Sequence, residues 1–127
     1  MNDITWSKRE KQIARRAFDR AYQGECAELL AKVREMAGAA QGPHDLWQIH
    51  DFLDDKRREI DEKYDYRGSV LVLVLGRLAH EGRVALEDLD GLGEDKLARI
   101  RTLVDLGRRA SEPDEPQEEA SAGDGDA

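Results

Sequence analysis

A single cysteine, Cys26, is all the thiol chemistry that 127 residues contain. One cysteine excludes an internal disulfide and a cysteine-based zinc site. No stretch approaches the ~18 uncharged apolar residues of a membrane span. The opening Met1–Glu10 lacks the apolar centre of a secretory signal. There is no phosphate loop, no Gly-x-Ser-x-Gly elbow and no zinc-ligand spacing. Gly82, Gly91 and Gly93 follow no strand and read as helix stops. What is left is a soluble chain, expected in the cytoplasm and of a length that fits one small domain.

What is present is charge, unevenly spread. The formal net charge is −8, from 20 Lys+Arg and 28 Asp+Glu. Residues 110–127 hold seven of the acids (Glu112, Asp114, Glu115, Glu118, Glu119, Asp124, Asp126) and no base. The body, residues 1–109, is therefore nearly neutral, and the acidity belongs to a tail. That tail has no large apolar residue to offset the entropy of ordering, so it is expected to be disordered and solubilising, or else to be an acidic docking segment.

The body reads as helix throughout. Ser7 and Glu10 form a Ser-x-x-Glu capping box. Phe18, Tyr22, Cys26, Leu29, Val33 and Met36 then recur at spacings of four or three, one apolar stripe on a long helix. Gly38, Gly42 and Pro43 are expected to end it. A second helix is expected from His44 or Asp45, with Leu46, Ile49, Leu53, Ile60 and Tyr64 as a seam for another helix. Its end is open, either through Arg67 or at a bend near Tyr64. Val70–Leu75 is a β-branched apolar run that would suit a buried strand. It has no partner strand, and so reads as a buried helix running to about His80. Leu86–Leu89 makes a helical turn, and Glu94 to about Arg109 the last helix.

Two long helices with narrow stripes bury little on their own, and a body with two Phe has a thin core. A homodimer of stacked long helices would supply the missing burial, with a compact monomeric bundle as the alternative.

The informative segment is Asp45–Asp61. On a helical projection of ~100° per residue with Trp47 at zero, Leu46, Ile49, Leu53 and Ile60 gather near ~200–260°. Trp47 lies away from them, among His50, Asp51, Asp54 and Arg58, with Arg57 at the border. A tryptophan ringed by charge fits a partner-binding hot spot. A core tryptophan covered by another helix of the same chain fits the pattern equally well. His50 and Asp54 alone are too few ligands for a metal. No nucleophile accompanies them, so no catalytic residue is assigned. Cys26 sits on the apolar stripe and reads as a small buried hydrophobe. The start of the first helix carries Lys8, Arg9, Lys11, Arg15, Arg16 and Arg20 against Glu10 and Asp19. That basic face could meet an acidic protein or nucleic acid, or simply water; the overall acidity argues against nucleic acid.

The segment Asp45-Leu46-Trp47-x-x-His50-Asp51-Phe52-Leu53, followed by Lys56-Arg57-x-Glu59-Ile60-Asp61-x-Lys63-Tyr64-Asp65-x-Arg67-x-Ser69-Val70, resembles the fluorescence recovery protein family of cyanobacterial photoprotection. Trp6-Ser7, Phe18-x-x-Ala21-Tyr22, Gly82, Asp88–Leu92 and Asp95-Lys96 extend the likeness over roughly residues 5–107. The resemblance implies an all-α fold: two long helices forming a dimeric stalk, and a small helical head, here within 1–109, followed by the tail 110–127. It implies no enzymatic activity, no cofactor and no metal. It also implies a homodimer that binds photoactivated orange carotenoid protein and accelerates its return to the orange form, ending non-photochemical quenching. Trp47, His50, Asp51, Arg57 and Arg99 match the family's partner-binding positions. Leu46 matches a dimer-interface position, and Leu53 shares its seam. Two departures stand out. The apolar run is purely aliphatic, and Arg99 stands where Lys is expected, a change of donor geometry. A composition rich in Arg, Ala, Gly and Asp points to a host outside the cyanobacteria. In such a host, a repurposed adaptor or a nucleic-acid-binding regulator is the alternative.

Overall fold

A computed structural model describes residues 5–111. It contains four α-helices, α1 (Lys8–Ala39), α2 (Pro43–Lys63), α3 (Leu71–His80) and α4 (Glu94–Ser111), with a 3-10 turn at Leu86–Leu89. There is no strand among the described residues. The expected acidic tail lies outside them, except that α4 continues through Ser111, two residues beyond the expected end.

The capping box forms as the sequence requires. The Ser7 hydroxyl accepts from the Glu10 amide at 3.0 Å, and the Glu10 carboxylate accepts from the Ser7 amide at 2.9 Å. Gly38 does not stop α1, which runs on to Ala39. The chain turns within three residues, and the Gln41 amide donates to Asp45 across the corner at 2.9 Å. α2 starts earlier than expected, at Pro43 after Gly42. A first-turn proline has no amide to leave unpaired and its φ is already helical. α2 returns antiparallel to α1: Ile49 lies near Met36, and Lys63 meets Glu25. It ends at Lys63, which settles the open question in favour of the bend at Tyr64.

The expected Phe18–Met36 stripe does not define the core. The buried face of α1 is Ala14, Ala17, Phe18 and Ala21, while Tyr22 is exposed and Cys26 half-buried. Alanines let the head helices approach α1 closely, and Phe18 closes the patch with edge-to-face contacts to Tyr64 and Tyr66.

Val70–Leu75 is helical, as read from the missing partner strand. Leu71, Val72, Val74, Leu75 and Leu78 are buried while Leu73 and Arg77 face out, which is a helical period and not alternation. α3 and α4 run side by side in the same direction. A Cβ on Gly76 would sit 2.6 Å from Leu103 Cδ1, and one on Gly107 would sit 2.9 Å from the His80 ring. Gly76 is therefore a contact point between helices. The return between them turns at Gly82, whose φ of +80° suits glycine. It then buries Val84, Leu89 and Leu92 on α1 and α3.

Glu10 also links the head to the start of α1. Its carboxylate accepts from the Gly93 amide at 2.7 Å and from Lys96 Nζ at 3.2 Å. The Ser7 amide outweighs the burial of Glu10 and, with Gly93 and Lys96, holds its carboxyl below the ordinary range.

Candidate partner-binding surface

The surface of interest is the outer side of α2. Trp47 is 60% exposed, and no described helix of its own chain covers it. Of the two readings that the pattern left open, the covered core tryptophan does not fit this exposure. Its ring stacks edge-on with His50 at 6.2 Å between centroids. His50 Nδ1 lies 3.2 Å from the Asp51 carboxylate. Arg58 donates to Asp54 at 3.0 Å and to Asp55 at 2.7 Å, and Arg57 donates to Asp61 at 3.2 Å. All these groups are exposed, so the pairs add little stability. What they do is hold charged side chains in defined positions along the outer side of α2, beyond the Trp47–His50 pair. A large ring with oriented donors and acceptors is suited to gripping a protein surface.

The residues singled out from the sequence fall in three places. Trp47, His50 and Asp51 form one cluster, with Arg57 farther along the same helix. Leu46 and Leu53, seven residues apart on one side of α2, are 55% and 41% exposed, and Leu30 on α1 is exposed as well. Arg99 is not brought to the Trp47 cluster. It sits on α4, lining a shallow cavity of about 260 Å³ with Leu73, Ala98, Thr102 and Leu103. The head thus presents a separate surface. No three His, Cys, Asp or Glu side chains converge as a metal site among the described residues, and no described helix is long and apolar enough to cross a membrane.

One constellation was not read from the sequence. Where the hairpin meets the head, Lys63 Nζ donates to Glu25 at 2.9 Å and to Glu81 at 2.8 Å. Arg83 grips Glu28 through two bonds of 2.9 and 3.1 Å, and Tyr64 donates to Glu25 at 2.9 Å. Lys63 is only 7% exposed, so this network ties α1, α2 and the end of α3 at a joint with a buried lysine at its centre. Burial opposes the charge on Glu81, but Lys63 and Arg77 prevail and hold its carboxyl below the ordinary range. Burial, together with Glu25, pushes the Tyr64 phenol up. The available signal was Lys63 itself, which projects at ~160°, next to the apolar stripe of α2. A lysine there needs partners.

Comparison with known proteins agrees with this architecture. A family model described as the photoprotection regulator fluorescence recovery protein matches residues 6–104. The chain is 46% identical over 104 residues to a fluorescence recovery protein of Synechocystis sp. (strain ATCC 27184 / PCC 6803 / Kazusa), spanning 82% of this chain and 95% of the relative. It is similar in structure to the fluorescence recovery protein of Fremyella diplosiphon, at TM-score 0.72 and 43% identity over 78% of this chain and 97% of the other. The Synechocystis sp. PCC 6803 structure compares at TM-score 0.74 and 44% identity, covering 80% and 99%.

Proposed function

The chain belongs to the fluorescence recovery protein family, a family of photoprotection regulators, and from that membership we propose its specific role. It is a non-enzymatic homodimer, acting in the cytoplasm. It binds photoactivated orange carotenoid protein and speeds that protein's return to the inactive orange form, ending non-photochemical quenching. The observation that carries the reading is the exposed Trp47 ring set edge-on against His50, whose Nδ1 lies beside Asp51. Arg57 extends the same face, and Arg99 on the head is a second contact with the client.

The mechanism needs no chemistry from the regulator. A protein that binds the closing transition state or the compact form of its client better than the open form accelerates closure. Lasting affinity for the compact product is unnecessary, so one regulator can serve many clients in turn.

The homodimer is supported by the exposed Leu30, Leu46 and Leu53. Pairing those leucines between two copies removes apolar surface from water along the hairpin.

The test is the dark decay of photoactivated orange carotenoid protein, followed by absorbance with and without this protein. Acceleration at sub-stoichiometric amounts is expected. An unchanged decay, with the protein shown folded and dimeric, would favour an adaptor that has changed its partner. Salt-dependent binding to any duplex would favour a nucleic-acid regulator.

A further inference from the structure

The basic face of α1 has no role in the proposed activity. Lys8, Lys11, Gln12, Arg15, Arg16 and Tyr66 line an open groove of about 710 Å³ between α1 and the segment after α2. Its floor is ordered: the Arg15 guanidinium stacks on the Tyr66 ring at 4.5 Å, and the Tyr66 hydroxyl donates to the Lys11 carbonyl at 3.4 Å. No acidic side chain lines it. Arg15 is paired with Asp19 at 3.1 Å, but among the described residues no carboxylate lies within ion-pair distance of Lys8, Lys11 or Arg16. The other four lysines all have carboxylate partners: Lys32 with Glu35, Lys56 with Glu59, Lys63 with Glu25 and Glu81, and Lys96 with Glu10.

We infer that the groove is the docking site of this chain's own acidic segment, residues 112–127. That segment carries seven carboxylates and no cation, the complement of a groove lined by four cations and no acid. Its reach is sufficient. Gly107 lies against His80, and the neighbouring Glu81 meets Lys63, which also meets Glu25, so α4 ends about level with Glu25–Glu28 of α1. Lys11–Arg16 lie 9–17 residues back along the helix, or ~14–26 Å. Sixteen residues extend to as much as ~55 Å. The first acids, Glu112, Asp114 and Glu115, follow closely on Arg108 and Arg109 in the sequence. The distal ones, Glu118, Glu119, Asp124 and Asp126, reach the groove. The docking is electrostatic and salt-sensitive. It keeps the only unpaired lysines among the described residues covered at low salt, so an acidic partner must compete with the tail for this face.

Zero-length carbodiimide cross-linking of the intact chain tests this without any substitution. The reagent joins a carboxylate to a lysine amine as an amide, and mass spectrometry of the peptides names both ends. At 0.01 M salt, where the screening length is ~30 Å, peptides from 112–127 should be linked to Lys8 and Lys11 several-fold more often than to Lys32, Lys56, Lys63 or Lys96. At 1 M salt, where it is ~3 Å, those links should fall several-fold. An equal mixture of nitrogen-14 and nitrogen-15 protein should give isotopically uniform linked pairs. Tail links spread evenly over all six lysines, links that ignore salt, or an absence of tail links would overturn the inference. So would linked pairs of mixed isotope alone, which would assign the groove to a second copy's tail.

Discussion

The two ends of the molecule differ in how they are held. In the head, α3, α4 and the first half of α1 enclose Leu75, Leu78, Leu89 and Ile100, all at 0% exposure. In the hairpin, no residue from Tyr22 to Glu59 is buried. Its helices are decorated instead with exposed ion pairs such as Lys32–Glu35, Lys56–Glu59 and Arg57–Asp61. Such pairs contribute only about 0.3–0.5 kcal/mol each. The head is thus a folded unit with a core. In the hairpin Leu30, Leu46 and Leu53 remain exposed among the described residues. The comparison teaches that buried packing is confined to the first part of α1, with the Lys63 joint where it gives way to the exposed hairpin.

The largest expected effect lies in the head. Leu75→Ala should cost ~2–5 kcal/mol in denaturant unfolding, because the closed core cannot collapse around the lost volume. A loss under 1 kcal/mol would mean that the head core is not what holds the fold. Glu10→Ala comes next, at ~1–3 kcal/mol, since it leaves the Ser7 and Gly93 amides without their acceptor and Lys96 with the Thr5 carbonyl alone. The same residue gives the head a pH dependence. The Glu10 and Glu81 carboxyls titrate lower in the folded than in the unfolded chain. Their stabilisation is therefore present above the ordinary value of 4.5 and is lost as pH falls through the folded values. Unfolding free energy should decline below about pH 4.5, less steeply in Glu10→Ala; equal slopes would contradict the assignment.

In the hairpin the effects move from folding to assembly. Leu46→Glu should turn the dimer into monomers at micromolar concentration in light scattering, because it places a charge in the seam between copies. It should shift the unfolding of the head by less than about 1 kcal/mol, as expected of a change at an exposed site. A variant that remains dimeric would sink the assignment of that seam. Smallest in stability is Trp47→Ala, within about 0.5 kcal/mol of the parent, since an exposed ring contributes little to folding.

Much of this division was legible in the sequence. The capping box at Ser7 and Glu10 carries its own signature within four residues. Trp47 projects away from the apolar stripe, and this is what left it uncovered. The helical state of Val70–Leu75 followed from the absence of any strand to pair with. Other features were not legible, for physical reasons. Glu10 meets Gly93 and Lys96 more than 80 residues away, and no local pattern records such a pairing. Ala14, Ala17 and Ala21 form the packing face of α1, yet alanine is common on both faces of helices and marks neither. Gly76 carries no local signal of its role, because only its distance to Leu103 reveals a contact. Arg99 came from resemblance alone; it is an exposed arginine on an amphipathic helix, with nothing in the local spacing to single it out.

The most direct measurement compares the dark recovery of photoactivated orange carotenoid protein in the presence of the parent chain and of Trp47→Ala, with both shown by light scattering to be dimeric. The account predicts rapid recovery with the parent and recovery near the unassisted rate with Trp47→Ala, at unchanged stability. Equal acceleration by both proteins would contradict it, because the uncovered face of α2 would then not be the working surface.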